Sequence, residues 1–98
     1  MIDEGELDWK LIVVNVDDPL AASLHDIADV EAKCEGVVSG IREWFRWYKT
    51  PDGKPINAFG FDEAALDAAT AVEVIEETHS QWKSLIAGET DQGKMWTQ

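Results

Sequence analysis

Trp9-Lys10-Leu11-Ile12-Val13-Val14-Asn15-Val16 reads as a β-strand. The run Leu11 to Val14 is apolar on both faces, the pattern of a strand buried between two layers. Asp17-Asp18-Pro19 stops it with turn chemistry. Such a strand has unpaired N–H and C=O groups along both edges and needs neighbours. The rest of the chain supplies few, since Ala58 to Phe61 alternates only weakly as a possible short second strand. The expectation is a mostly helical α+β piece. It would complete its sheet with the rest of a larger protein or with another copy of itself.

The remainder is helical. Asp26 is placed to cap a short helix carrying Ile27, Val30 and Glu31, with Gly36 ending it. Residues 37–48 form a better helix. Val37, Ile41, Trp44, Phe45 and Tyr48 recur on one apolar stripe, which predicts core packing. Thr50 to Lys54 is a turn in which Pro51 fixes its own φ and Gly53 tolerates positive φ. Asp62 then caps the longest predicted helix, 63–87, whose stripe is Leu66, Ala69, Val72, Ile75, His79, Trp82 and Ile86. Gly88 takes its C-cap position. Residues 1–88 read as one body. Residues 89–98 read as a polar, loose tail, although Met95 and Trp96 could fold back.

The formal net charge of −12 over 98 residues argues against nucleic acid and anionic membrane as partners, since both are polyanions. It suits cations such as Mg²⁺, and it also serves plain solubility. Glu63, Asp67, Glu73, Glu76, Glu77 and Glu89 read as solvated helix faces. No apolar run approaches the roughly 18 residues of a membrane span. The acidic start Met1-Ile2-Asp3-Glu4-Gly5-Glu6 is no signal peptide. Cys34 is the only cysteine, which fits a reducing compartment such as the cytoplasm, and it reads as a structural thiol near a helix end. His25 and His79 have no second histidine at metal-ligand spacing and read as structural.

Two segments carry candidate chemistry. In Asp3-Glu4-Gly5-Glu6-Leu7-Asp8-Trp9-Lys10, Gly5 permits a bend that lets Asp3 and Asp8 converge, and Asp8 and Lys10 share a face of an extended chain. Carboxylate oxygens are the hard ligands Mg²⁺ prefers, and Mg²⁺ takes one or two of them alongside waters and phosphate oxygens. In Trp44-Phe45-Arg46-Trp47-Tyr48-Lys49-Thr50-Pro51-Asp52-Gly53-Lys54-Pro55, a helix ends on a phenol and an ammonium before a tight turn. On residue types alone the plain readings stand beside these. The acid run is a solvated N-terminus, Lys49 answers the helix dipole, and the Tyr48 ring is core.

These segments resemble the C-terminal part of the soluble family I inorganic pyrophosphatases of eukaryotic type. So do Asn15-Val16-Asp17-Asp18-Pro19-Leu20, His25-Asp26-Ile27-Ala28-Asp29-Val30-Glu31 and Glu76-Glu77-Thr78-His79-Ser80-Gln81-Trp82-Lys83-Ser84-Leu85-Ile86-Ala87-Gly88. The resemblance runs from about Ile2 to Gly88. It implies the C-terminal portion of an OB-type β-barrel with flanking helices, and hydrolysis of inorganic pyrophosphate by Mg²⁺-activated water. It implies that Asp3 and Asp8 hold metal and that Lys10, Tyr48 and Lys49 hold phosphate. It implies too that the family's remaining site residues lie upstream, so this chain alone would be inactive, and that the full-length protein is a homo-oligomer. A non-catalytic acidic helical interaction module is the alternative.

Overall fold

The computed structural model describes residues 1–97. The chain divides into two compact units, Met1–Ala68 and a second beginning at Ala69. Among the described residues no helix is long and apolar enough to cross a membrane.

The first unit opens with a two-stranded antiparallel hairpin, β1 (Ile2–Asp3) and β2 (Glu6–Leu7), in which Ile2 faces Leu7 and Asp3 faces Glu6. Its two-residue turn has Glu4 at φ 49° and Gly5 at φ 84°. Positive φ at both positions is the turn geometry that matches strand twist, and glycine adopts it without a Cβ penalty. One further bond, from Asp8 N–H to the Met1 carbonyl at 3.0 Å, extends the pairing. Ile2 also exchanges two backbone hydrogen bonds with Ala58, at 2.7 and 3.1 Å. The weak strand expected at 58–61 is therefore a single bridge.

The strand expected over 9–16 does not form. These residues join no ladder, and Val13 and Val16 are 81% and 88% exposed. The composition is that of a strand, but a strand exists only against a partner, and no described segment pairs with this one. Trp9 instead stacks on Phe61 at 6.2 Å. Asn15 and Asp18 then build the expected turn. Their side chains accept from the Asp17 and Leu20 N–H groups at 2.9 and 2.8 Å.

Helix α1 (Ile27–Lys33) begins where the sequence places it, with the Asp26 carboxylate accepting from Ile27 N–H at 2.7 Å. It ends at Cys34, two residues before Gly36. Gly36, at φ 82°, instead opens α2 (Val37–Trp47). The aromatic stripe of α2 is not core. Val37, Ile41, Trp44 and Tyr48 are exposed, and Val38 is the helix's buried residue. Trp44 and Tyr48 stack on each other at 4.9 Å, and Phe45 meets both edge-on. Only Val38, Val74 and Asn57 are buried among the described residues, so the amphipathic faces are built but little here covers them.

The long helix, α3, spans Ala68–Ile86 and so starts later than the sequence suggests. Asp62 does not cap it. Phe61, Asp62 and Glu63 all take positive φ, 54°, 52° and 64°. Each L-residue in that region costs of order 1–2 kcal/mol, so something must hold the turn. Arg42 donates from Nη1 to the Glu63 carbonyl at 3.0 Å, and Arg46 donates from Nη2 to the Glu63 carboxylate at 2.7 Å. Glu63, expected on a solvated helix face, is gripped by two arginines. In the second unit Val72, Ile75, Trp82 and Ile86 are exposed, Val74 is buried, and His79 stacks on Trp82 at 5.4 Å.

Candidate functional site

The hairpin is short because its turn is tight, and the tight turn places its acids. Asp3 lies directly across from Glu6, and a shallow depression is lined by Asp3, Glu4, Glu6, Leu7 and Asp8. The bend expected at Gly5 is therefore real, and it brings Asp3 and Asp8 to one concavity. Asp8 pairs with Lys10 at 2.9 Å, as the shared face of an extended segment requires. The Lys10 ammonium also lies 5.2 Å over the Phe45 ring.

Lys49 comes from the other segment. It follows Tyr48, the C-cap of α2, and its Nζ donates to Asp3 Oδ1 at 2.7 Å across 46 positions of sequence. Both side chains are less than a quarter exposed. Glu4 stands 3.6 Å away on the same ammonium and reaches Lys54 at 3.5 Å. The hydrogen bond to Asp3, followed by the charges of Asp3 and Glu4, holds the Lys49 ammonium above the ordinary lysine range, with partial burial opposing.

Of the five residues singled out by sequence, Asp3 meets Lys49 and Asp8 meets Lys10. Tyr48 joins them through its ring, which is edge-on at 5.6 Å to Phe45, the ring that carries the Lys10 ammonium. Three residues of the neighbourhood escaped the sequence reading. Glu4 and Lys54 flank the central pair, and their charges gave no sign of contact. Asn57 is 1% exposed and donates from Nδ2 to the Phe45 carbonyl at 2.8 Å. Nothing in Pro55-Ile56-Asn57-Ala58 marks it as special.

Three carboxylates, Asp3, Glu4 and Asp8, thus face three ammoniums, Lys10, Lys49 and Lys54. No group of three or more acidic, histidine or cysteine side chains is gathered for a metal among the described residues. The donors fit Mg²⁺ in type and number all the same, because Mg²⁺ completes its octahedron with waters and phosphate oxygens rather than a protein cage.

A sequence model of the family described as inorganic pyrophosphatase matches residues 1–83. An inorganic pyrophosphatase of Zygosaccharomyces bailii is 50% identical over 94 residues, which cover 96% of this chain and 33% of that protein. One of Mus musculus is 50% identical over 91 residues, covering 93% and 32%. The chain therefore spans about a third of the length of the curated relatives it matches. Among solved structures, the inorganic pyrophosphatase from Schistosoma japonicum superposes with a TM-score of 0.84 at 47% identity, over 87% of this chain and 30% of that one. The type I enzyme from Toxoplasma gondii gives 0.83 at 54%, over 86% and 36%.

Proposed function

The chain belongs to the inorganic pyrophosphatase family, and we propose that it is the C-terminal portion of an enzyme that hydrolyses inorganic pyrophosphate to two phosphates with Mg²⁺. The observation that carries this is the 2.7 Å contact between Asp3 and Lys49, which draws the two candidate segments into one place. The two segments that carry the family resemblance thereby meet in one place, which supports a site built from both.

In this reading Asp3 and Asp8 hold metal, and Lys10, Tyr48 and Lys49 hold phosphate oxygens. The charge pattern supports the need for a divalent cation. Three ammoniums already matched by three carboxylates offer a pyrophosphate anion no net attraction. A Mg²⁺ ion held by Asp3 and Asp8 would supply the missing positive charge and would make a water more acidic. In the complex with Mg²⁺ and pyrophosphate, Lys10 and Lys49 would donate to phosphate oxygens, and the Tyr48 hydroxyl would donate to another. Asp3 and Asp8 would hold the cation as the metal and pyrophosphate bind together.

We assign residues 1–88 to the pyrophosphatase domain and 89–98 to its tail. Residues 9–16 belong, on this reading, to an OB-type barrel whose other strands lie in the rest of the protein, and their exposure here follows from that. The full-length protein would be a homo-oligomer.

The test is phosphate release from pyrophosphate, with and without Mg²⁺. It compares the 98-residue chain with a fusion of it behind the upstream two thirds of a relative such as the Mus musculus enzyme. The proposal expects no release from the chain and Mg²⁺-dependent release from the fusion. A folded fusion without activity overturns it. Release by the chain alone overturns its incompleteness.

A further inference from the structure

We propose that Asn57 is a positioning residue of this site, setting Lys49 against Asp3 by closing the end of α2 from the side of the hairpin. The inference rests on the pyrophosphatase reading for its meaning but not for its geometry.

Helix α2 ends without a glycine. Tyr48 is its C-cap, and Lys49 follows at φ −96°. The last carbonyls of a helix have no partner within it and must find one elsewhere. Trp44 O receives Tyr48 N–H at 3.0 Å. Phe45 O and Arg46 O both receive Asn57: the side-chain Nδ2 donates to the first at 2.8 Å and the backbone N–H to the second at 3.0 Å. The next residue, Ala58, makes the two-bond exchange with Ile2, and Ile2 precedes Asp3. A continuous hydrogen-bonded path thus runs from Asp3 through Ile2, Ala58 and Asn57 to the end of α2, where Lys49 begins.

The Thr50–Asp52 turn does not do this work. Thr50 Oγ1 does donate to the Trp47 carbonyl at 2.8 Å, but this bond and those from Asp52 N–H to Lys49 O at 3.1 Å and from Gly53 N–H to Thr50 O at 3.0 Å stay on the helix side, and none of them reaches the hairpin. Asn57 is the most buried of the described residues. Its Nδ2 donates to the Phe45 carbonyl, while its Oδ1 is buried without a hydrogen-bond partner among the described residues, a cost that the donor side of the amide must offset. Leucine could fill the volume without donating. Aspartate would set a carboxylate oxygen against the Phe45 carbonyl.

The experiment is NMR on the 98-residue chain without substrate, so a failure of the pyrophosphatase reading leaves its result intact. The readout is the nuclear Overhauser effect between the Lys49 Hε and Asp3 Hβ protons. Asn57→Asp is expected to lose it, while effects within α2 and between the Trp44 and Tyr48 rings persist. Inserting one glycine after the exposed Gly53 is expected to leave it in place, because the anchor and not the tether sets the distance. Survival of the signal in Asn57→Asp overturns the proposal, as does its loss on glycine insertion. If Asn57→Asp does not fold, the insertion variant decides alone.

Discussion

Helix α3 is finished by its own next residues. Gly88 takes φ 76°, its N–H donates to Leu85 O at 3.1 Å, and Glu89 N–H reaches Ser84 O at 3.0 Å, the paired bonds of a glycine-closed helix end. Helix α2 is closed only in part by its own next residues, Thr50 Oγ1 donating to Trp47 O at 2.8 Å, and the Phe45 and Arg46 carbonyls are left to Asn57, which lies twelve positions from the carbonyl its side chain satisfies. Both ends answer the same physical demand, the partnerless last carbonyls. The local answer draws only on the residues that follow its helix. The remote answer fastens the end of α2 to the segment that pairs with the hairpin, and there two oppositely charged side chains from distant sequence meet.

The contrast can be broken from either side. Asn57→Ala removes a buried donor and leaves the Phe45 carbonyl unsatisfied. Unfolding by denaturant is expected to register a loss of about 1–3 kcal/mol. Gly88→Ala meets no steric neighbour, so it pays only for its left-handed backbone, about 1 kcal/mol, read as fraying of α3 by circular dichroism. It should leave the Lys49–Asp3 contact untouched.

Charge sharpens the comparison further. Arg46 grips Glu43 through two nitrogens and Glu63 through one, and these bonds hold its guanidinium pKa above the usual value. Arg46→Lys lacks the planar fork. It is expected to loosen the left-handed turn at 61–63, seen as faster amide exchange at Glu63, and to leave α3 unchanged.

The smallest effect is that of pH. Lys49 has its pKa raised, so its pairing contributes fully below the ordinary lysine range and fades as the pH rises through the raised value. Asp29 accepts from His25 N–H at 2.8 Å and has its pKa lowered by that bond. Its contribution is present above the ordinary carboxylate range and is lost as the pH falls through the depressed value. The first unit should therefore lose stability at both extremes, checked by denaturation at a series of pH values.

What could be read from the sequence divides along the same line. Gly53, Gly88, the bend at Gly5 and the Asp26 cap on Ile27 act on residues within a turn of themselves, so residue type and spacing located them; the second bond that Asp26 accepts, from Ala68 N–H at 2.8 Å, had no such signal. Residues 9–16 carried the composition of a strand, but pairing is settled by a partner, and none is described here. Asp62 stood in the position of a cap, yet Arg42 and Arg46, far back in sequence, hold Glu63 in a left-handed turn, and α3 begins only at Ala68. The stripes of α2 and α3 were legible as amphipathic faces, whereas their burial depends on what covers them. The five candidate site residues came from motif resemblance, and contact between Asp3 and Lys49 required the fold. Asn57 had no local signal because its role is to join two remote segments.

The most direct measurement of the central claim is Mg²⁺-dependent turnover of pyrophosphate by the fusion carrying Asp8→Asn or Lys49→Met, each against the unsubstituted fusion. Loss of a group that meets metal or a developing phosphate charge is worth about 10²–10³ in rate. The account predicts a fall of that order in both variants while the fold is retained. Near-normal turnover in either would contradict the role assigned to that residue, and in both it would remove this hairpin and helix end from the site.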